Sequence, residues 1–270
     1  MIEKAYVTML CNGDGYVTGA EVLGKSLEAS GSKVPRVAMV TADITAAGRK
    51  RLTAQGWQLR AVEPIANPHS DGLLVFPRFG PVFTKLRAWE LTDIGRAVVL
   101  DADTLVIKNV DELFDRSGFA AAPDFFLPDR FNSGVMVVSP SKETFDRMMA
   151  QLSDAPSYDG GDQGFLNTFF ADWYSMPAAH RLPAGYNLPN FIHQFGHAHA
   201  SLRATLAREA KIIHYMVQKP WQASSTLTGG SAAWWNMYFD AHPEKADTWR
   251  ARIHEIEDWT FDKLAALVLD

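Results

Sequence analysis

The run Val98-Val99-Leu100-Asp101-Ala102-Asp103-Thr104 places two carboxylates, one residue apart, directly after a hydrophobic segment. Read as a strand, that segment delivers both acids to its carboxyl end, the edge where open α/β sheets bind ligands. Two acidic groups there suit a hard cation such as Mg²⁺ or Mn²⁺, which in turn holds a diphosphate. The bare spacing is weak evidence, since a chain with 20 Asp residues supplies roughly one or two such pairs by chance. Its place at the end of a buried strand is what gives it weight.

Two other chemistries compete for these residues. A strand ending in Asp-x-Asp-Thr also looks like the nucleophile motif of haloacid-dehalogenase-type phosphatases, in which the first acid attacks phosphorus. Such enzymes carry it on their first core strand, whereas here it falls on about the fourth. A dinucleotide site is the other competitor. Gly13-Asp14-Gly15 and Gly19 follow the first strand, and Asp43 stands where a ribose-binding acid would. The glycine spacing departs from the tight fingerprint, and a plain turn explains it as well.

Further along are Asp159-Gly160-Gly161-Asp162-Gln163-Gly164, Phe131-Asn132-Ser133-Gly134, and His214 followed by Lys219-Pro220-Trp221. Glycines allow close backbone approach to a ligand, while Asp162 alone could simply complement a helix dipole. Asn132 and Ser133 can hydrogen-bond sugar hydroxyls, although the segment also reads as a turn leading into a strand. His214 and Lys219 could supply a metal ligand and a phosphate partner, or a core histidine and a surface charge.

The elements that would position these groups follow from apolar patterning. Strands are expected at Ala5–Leu10, Arg36–Val40, Gln58–Val62, Ala97–Leu100, Ser133–Val138 and Lys211–Tyr215. Helices are expected at Val17–Ser30, Thr45–Gln55, Thr84–Thr92, Ser141–Gln151 and Asp162–Phe170, with Gly31 and Gly56 as helix ends and Thr45 or Asp43 near a helix start. Pro64–Pro81 reads as a long loop or lid, and a helical tail carries Trp249 and Trp259. The β-α-β-α-β rhythm predicts an α/β fold with a mixed, mostly parallel central sheet flanked by helices.

Composition narrows the options. The 270 residues are 47% hydrophobic and 21% charged, with net charge −5, which argues against a nucleic-acid protein. A single cysteine, Cys11, excludes an intrachain disulfide and zinc sites built on several cysteines. No apolar run reaches the roughly 20 residues of a membrane span. Met1-Ile2-Glu3-Lys4 enters a strand-like run without a secretory segment, so the expected location is cytoplasmic.

Together the motifs resemble the glycogenin-like members of glycosyltransferase family 8, the group of glycogenins and galactinol synthases. The resemblance is carried by Phe83-Thr84-Lys85-Leu86, Asp101-Ala102-Asp103-Thr104-Leu105, Asp111-Glu112-Leu113-Phe114-Asp115, Phe131–Val135, Asp159–Gly164 continuing to Leu166-Asn167, and His214 with Lys219-Pro220-Trp221. It runs collinearly from about Tyr6 to Trp221. It implies a single GT-A domain over 1–270: a nucleotide-binding half at about 1–115, a sugar and acceptor half at about 116–225, and a helical extension at about 226–270. It implies a retaining hexosyltransferase using UDP-glucose or UDP-galactose with Mn²⁺ or Mg²⁺, acting on a small-molecule, saccharide or protein acceptor. It is compatible with a homodimer. Residue by residue, it implies Asp101, Asp103 and His214 as metal ligands. Thr8, Leu10, Tyr16, Arg78, Lys85, Ala102, Asn132, Ser133, Asp159, Asp162, Gln163 and Lys219 would contact the donor. Lys85, Asp162 and Gln163 would act on the reacting sugar, by double displacement through Asp162 or by front-face attack. The chain departs from the family pattern at Val217, where glycine is usual, in the shortened His214–Lys219 spacing, and in an extra residue near Gly13.

Glycogenins prime a polysaccharide on a tyrosine of their own chain, before the histidine motif. The matching segment, Asn187 to Ile213, has no tyrosine; Phe191, His193, Phe195, His197 and His199 stand there. The expectation is transfer to a separate acceptor. A phosphatase, or an idle nucleotide-sugar-binding protein, remains the alternative from another class.

Overall fold

The computed structural model describes residues 1–68, 81–192, 200–216, 219–222 and 229–245. The chain divides into two compact units, the first made of Met1–Val17, Lys33–Ala102 and Asp111–Ala184, the second of Thr18–Ser32, Asp103–Val110 and Gly185–Asp270.

The first unit is built on a six-stranded sheet in the order β3-β2-β1-β4-β7-β6. Its strands are β1 (Ile2–Leu10), β2 (Arg36–Val40), β3 (Trp57–Ala61), β4 (Ile94–Leu100), β6 (Ala120–Pro123) and β7 (Phe131–Val138). β1 to β4 pair in parallel, while β7 runs antiparallel to both β4 and β6. The sheet is thus mixed and mostly parallel, as the alternating pattern predicted. β1 leads outward to β2 and β3 on one side, and β4 lies on its other side. That change of direction opens a crevice at the carboxyl ends of β1 and β4, where Leu10 and Asp101 stand.

Helix α2 (Ala46–Ala54) is capped by Thr45, whose Oγ1 accepts the Gly48 amide hydrogen at 3.1 Å. Helices α3 (Lys142–Gln151) and α4 (Asp162–Phe169) fall where expected. The predicted helix at Thr84–Thr92 is instead a 3₁₀ helix over Val82–Glu90. A 3₁₀ turn has three residues, so Phe83, Leu86 and Trp89 align on one face, and all three lie in the core. β7 begins at Phe131, two residues ahead of the expected Ser133, so Phe131 and Asn132, read as a turn, belong to the strand, which is buried throughout. Of the expected loop Pro64–Pro81, the described part is anchored. Ile65 N–H donates to Thr84 Oγ1 at 3.0 Å, and Asn67 Nδ2 to the Gly160 carbonyl at 2.9 Å. The rest of that segment, with Arg78, lies outside the described residues, as do His193, Phe195, His197, His199, Val217, Trp249 and Trp259.

The second unit holds a small sheet, β5-β9-β8, of β5 (Thr104–Val106), β8 (Leu188–Pro189) and β9 (Ile212–His214). Most of helix α1 (Val17–Ala29) belongs to this unit, with α5 (Ala200–Glu209) and α6 (Gly229–Ala241). Its small core joins Val22, Leu105, Tyr215 and Trp234. Among the described residues no helix is long and apolar enough to cross a membrane.

Candidate active site

In the first unit the site is organised around Lys85, whose ammonium is 5% exposed as a residue and yet fully partnered. The 3₁₀ helix brings it under the carboxyl end of β4. Its Nζ lies 2.8 Å from Asp101 Oδ1 and 2.9 Å from Asp162 Oδ2, and donates to Ser133 Oγ at 3.3 Å. Burial by itself would lower the lysine pKa. The two carboxylates outweigh it and hold the group charged, above its ordinary value. Ser133 Oγ in turn donates to Asp162 Oδ2 at 2.9 Å.

β7 and α4 supply the rest. Ser133 N–H donates to Gln163 Oε1 at 3.2 Å, and Gln163 Nε2 donates to Asp124 Oδ2 at 3.2 Å and to the Tyr158 hydroxyl at 2.9 Å. Asn132 Nδ2 shares Asp124 Oδ2 at 3.0 Å. Asn167 ties α4 to β7, accepting the Phe131 N–H at 3.0 Å and donating to its carbonyl at 2.8 Å. Two polar side chains inside a buried strand are tolerable because each has a partner. Lys85, Asp101, Asn132, Ser133, Asp162 and Gln163, scattered over 79 positions, thus form one network.

Asp159 behaves differently. Its Oδ1 accepts from Gly161 N, Gly164 N and Ser157 Oγ at 2.9–3.0 Å, which closes the turn ahead of α4. These bonds shape the loop that leads into α4. Asp43, weighed as a ribose acid, clamps the first loop: it accepts the Gly13 N–H at 2.7 Å and a hydrogen bond from Thr41.

At the end of β1, Thr8 and Leu10 are buried, and Thr8 Oγ1 is a buried hydroxyl without a hydrogen-bond partner among the described residues. An orphaned polar atom of this kind fits a polar ligand. Tyr16 is half-buried in the 3₁₀ turn Asp14–Tyr16. Cys11 follows β1, and burial, reinforced by Asp43, pushes its thiol up to about 12, so it stays protonated and inert.

The second unit holds another buried polar cluster. Antiparallel pairing of β5 with β9 sets Thr104 opposite His214, which brings the histidine beside Asp103. His214 Nε2 is 3.3 Å from Asp103 Oδ1, and Asn187 Oδ1 holds Nδ1 at 2.9 Å. An outer oxygen on one ring nitrogen orients the other as a ligand. Lys219 Nζ pairs with Asp103 Oδ2 and donates to the Tyr215 carbonyl at 2.7 Å. Burial would raise the Asp103 pKa. Lys219 first and His214 second overcome this and hold the carboxyl well below the usual range.

The division of the chain falls inside Asp101-Ala102-Asp103, with Ala102 buried between the acids. Within the second unit Asp103 and His214 present a carboxylate oxygen and a ring nitrogen 3.3 Å apart, and a hard oxygen donor beside an imidazole is a donor pair that fits Mn²⁺ or Mg²⁺. Asp124, Tyr158 and Asn187 were missed from sequence. Each lacks a motif of its own and is identified only by its hydrogen bond to a residue that has one.

The chain is similar to known proteins over most of its length. The chain is 37% identical over 245 residues to glycogenin-1 of Caenorhabditis elegans, covering 89% of this chain and 56% of that protein. It is 39% identical over 225 residues to human glycogenin-1, covering 82% and 63%. An inositol phosphorylceramide glucuronosyltransferase 1 of Arabidopsis thaliana is 44% identical over 170 residues, covering 63% and 30%. The chain therefore spans less than two thirds of the length of these relatives. No family model matches it. Among solved structures, the galactosyltransferase LgtC in complex with donor and acceptor sugar analogs superposes with TM-score 0.63 at 20% identity, covering 87% of this chain and 95% of that one. The apo form of GlyE from Streptococcus pneumoniae TIGR4 gives 0.65 at 19%, covering 93% and 64%. The shared fold is GT-A.

Proposed function

The chain belongs to the glycogenin-like glycosyltransferases of family 8, and on that premise we propose that it is a metal-dependent, retaining hexosyltransferase acting from a UDP-sugar on a separate acceptor. The observation that carries this reading is the buried Lys85 ammonium held between Asp101 and Asp162 at the carboxyl end of β4. That arrangement sets a fixed cation and fixed dipoles where charge develops as a sugar leaves a phosphate. Asp101, Asp103 and His214 would hold a divalent ion whose charge offsets that of the departing UDP. Thr8, Leu10 and Tyr16 would line the base and ribose pocket. Asn132, Ser133, Asp162 and Gln163 would bind the sugar.

Asp162 shares Oδ2 with Lys85 and Ser133. A carboxylate neutralised in this way is a poor nucleophile and a good electrostatic support, which favours front-face attack over double displacement. Lys85 is already shared by two carboxylates, which favours an uncharged hexose, glucose or galactose, over a uronate. Lys219 is paired with Asp103 and would turn to the diphosphate once a cation takes the carboxylate. The tyrosine-free segment from Asn187 to Ile213 supports a separate acceptor.

Thermal unfolding with UDP-glucose, UDP-galactose and UDP-glucuronate, each with and without Mn²⁺, tests the reading. A ligand at 100 times its Kd stabilises by about 2.7 kcal/mol, and one hexose donor should do so only with the ion. Proton NMR of the first product should show the donor's anomer, and intact mass should show no hexose on the chain. No stabilisation by any donor, an inverted product or a ladder of added hexoses would each overturn the corresponding part.

A further inference from the structure

Tyr158 has no part in the reading above. It stands in the turn before α4 and is 43% exposed, yet its hydroxyl oxygen lies 2.9 Å from Gln163 Nε2. The other hydrogen of that amide goes to Asp124 Oδ2 at 3.2 Å, and its oxygen accepts from Ser133 N–H at 3.2 Å. The amide is held at three points. Its orientation is forced, because Ser133 N–H only donates and the Asp124 carboxylate only accepts. A flipped amide would mismatch both.

The distance between Tyr158 and Gln163 is also fixed by backbone packing. A Cβ on Gly164 would lie 2.6 Å from the Tyr158 backbone nitrogen and 2.4 Å from Ser157 Oγ. Only glycine lets the turn lie this close to the helix. Asp159 Oδ1 then fastens the two together through the Gly161 and Gly164 amides. Burial pushes the Tyr158 phenol up to about 12, so the amide meets a neutral oxygen at any working pH.

We propose that Tyr158 is a positioning residue for Gln163, its hydroxyl fixing the plane in which the amide meets the donor sugar. The proposal rests on the reading that Gln163 faces that sugar. A misplaced group of this kind costs on the order of tenfold to a hundredfold in rate.

Tyr158→Phe keeps the ring and removes only the oxygen, at an exposed position where folding is not at stake. In ¹⁵N-labelled protein the side-chain amide of Gln163 is identified by its loss in Gln163→Glu. Its hydrogen exchange should speed up several-fold in Tyr158→Phe. In parallel, kcat for UDP-sugar hydrolysis should fall roughly tenfold with KM little changed, the signature of a group acting on the reacting centre. Unchanged amide exchange would overturn the proposal, as would a raised KM with kcat intact, which marks a simple binding contact. If the wild-type chain hydrolyses no UDP-sugar, the functional reading falls, and the exchange result still decides whether Tyr158 holds the amide.

Discussion

Lys85→Met isolates the cation at the centre of the first unit. The substitution keeps the length and apolar stem of the side chain and removes one ammonium that serves Asp101 at 2.8 Å and Asp162 at 2.9 Å. Two carboxylates then lose the cation they share. Breaking a buried pair in this way costs about 3–5 kcal/mol. The Asp101 side chain is 27% exposed against 12% for Asp162,, so water relieves part of the charge and the lower end, about 3 kcal/mol, is expected. In a chain of this size each kcal/mol moves Tm by roughly 2–4 °C, which predicts a drop of about 6–12 °C by differential scanning calorimetry at fixed ionic strength. Asp162→Asn removes one of the stranded charges. The double variant should therefore be more stable than the sum of the singles predicts, with a coupling on the order of 1–3 kcal/mol. A Tm shift under 2 °C, or strict additivity, would refute the account of Lys85 as the shared counter-ion.

Lys219→Met should destabilise the metal-free protein by about 3–5 kcal/mol, since among the described residues the Asp103 carboxylate then keeps His214 alone as partner. Mn²⁺ should then raise Tm more in the variant than in the wild type, because no ammonium competes for the carboxylate, and equal Mn²⁺ shifts would count against the site. The Asp43 carboxyl lies below its ordinary 3.8, held down by the Thr41 hydroxyl and the Gly13 N–H. A depressed acid contributes stability that is present above the ordinary pKa and lost as pH falls through the folded one. The Gly13 amide shift should accordingly titrate below 3.8, and a midpoint at or above that value contradicts the clamp. Gly185→Ala would set a Cβ 2.0 Å from the Glu209 carbonyl oxygen. It should cost at least the upper end of roughly 1–3 kcal/mol, read as a lowered midpoint in urea.

Local pattern was enough wherever an element buries one simple face. Val37–Val40 is an unbroken apolar run, and β2 forms over Arg36–Val40 as expected. Gly160-Gly161 marked the start of α4 because glycines free the backbone just before a helix begins with an acid. Pattern failed where burial is not one-sided. In Gly229–Ala241 the aromatics Trp234, Trp235, Tyr238 and Phe239 recur four apart in pairs, the helical spacing, but Ala233 and Met237 are apolar as well and blur the contrast between faces that would mark α6. β6 is Ala120-Ala121-Ala122-Pro123, without the β-branched residues that advertise a strand. Asn132, ahead of the expected strand start at Ser133, looked like a turn residue since its side chain is polar. It sits within β7 because Asp124 satisfies it, as Asp162 does Ser133.

The chemical inventory of the site was readable along the chain: the Asp101/Asp103 pair, Lys85, Asp162, Gln163 and His214 are set by residue type, spacing and motif order. The assignment of partners was not. Lys219 and Asp103 are 116 positions apart, and nothing local to either indicates that the ammonium holds that carboxylate. The β5–β9 register puts His214 beside Asp103, Asn187 turns its ring, and Tyr158 and Asp124 orient Gln163. Each of these depends on which backbone segments lie against one another and on how little water reaches them. Burial makes an unpaired charge or amide costly and so selects a single arrangement, and burial is a property of the folded chain.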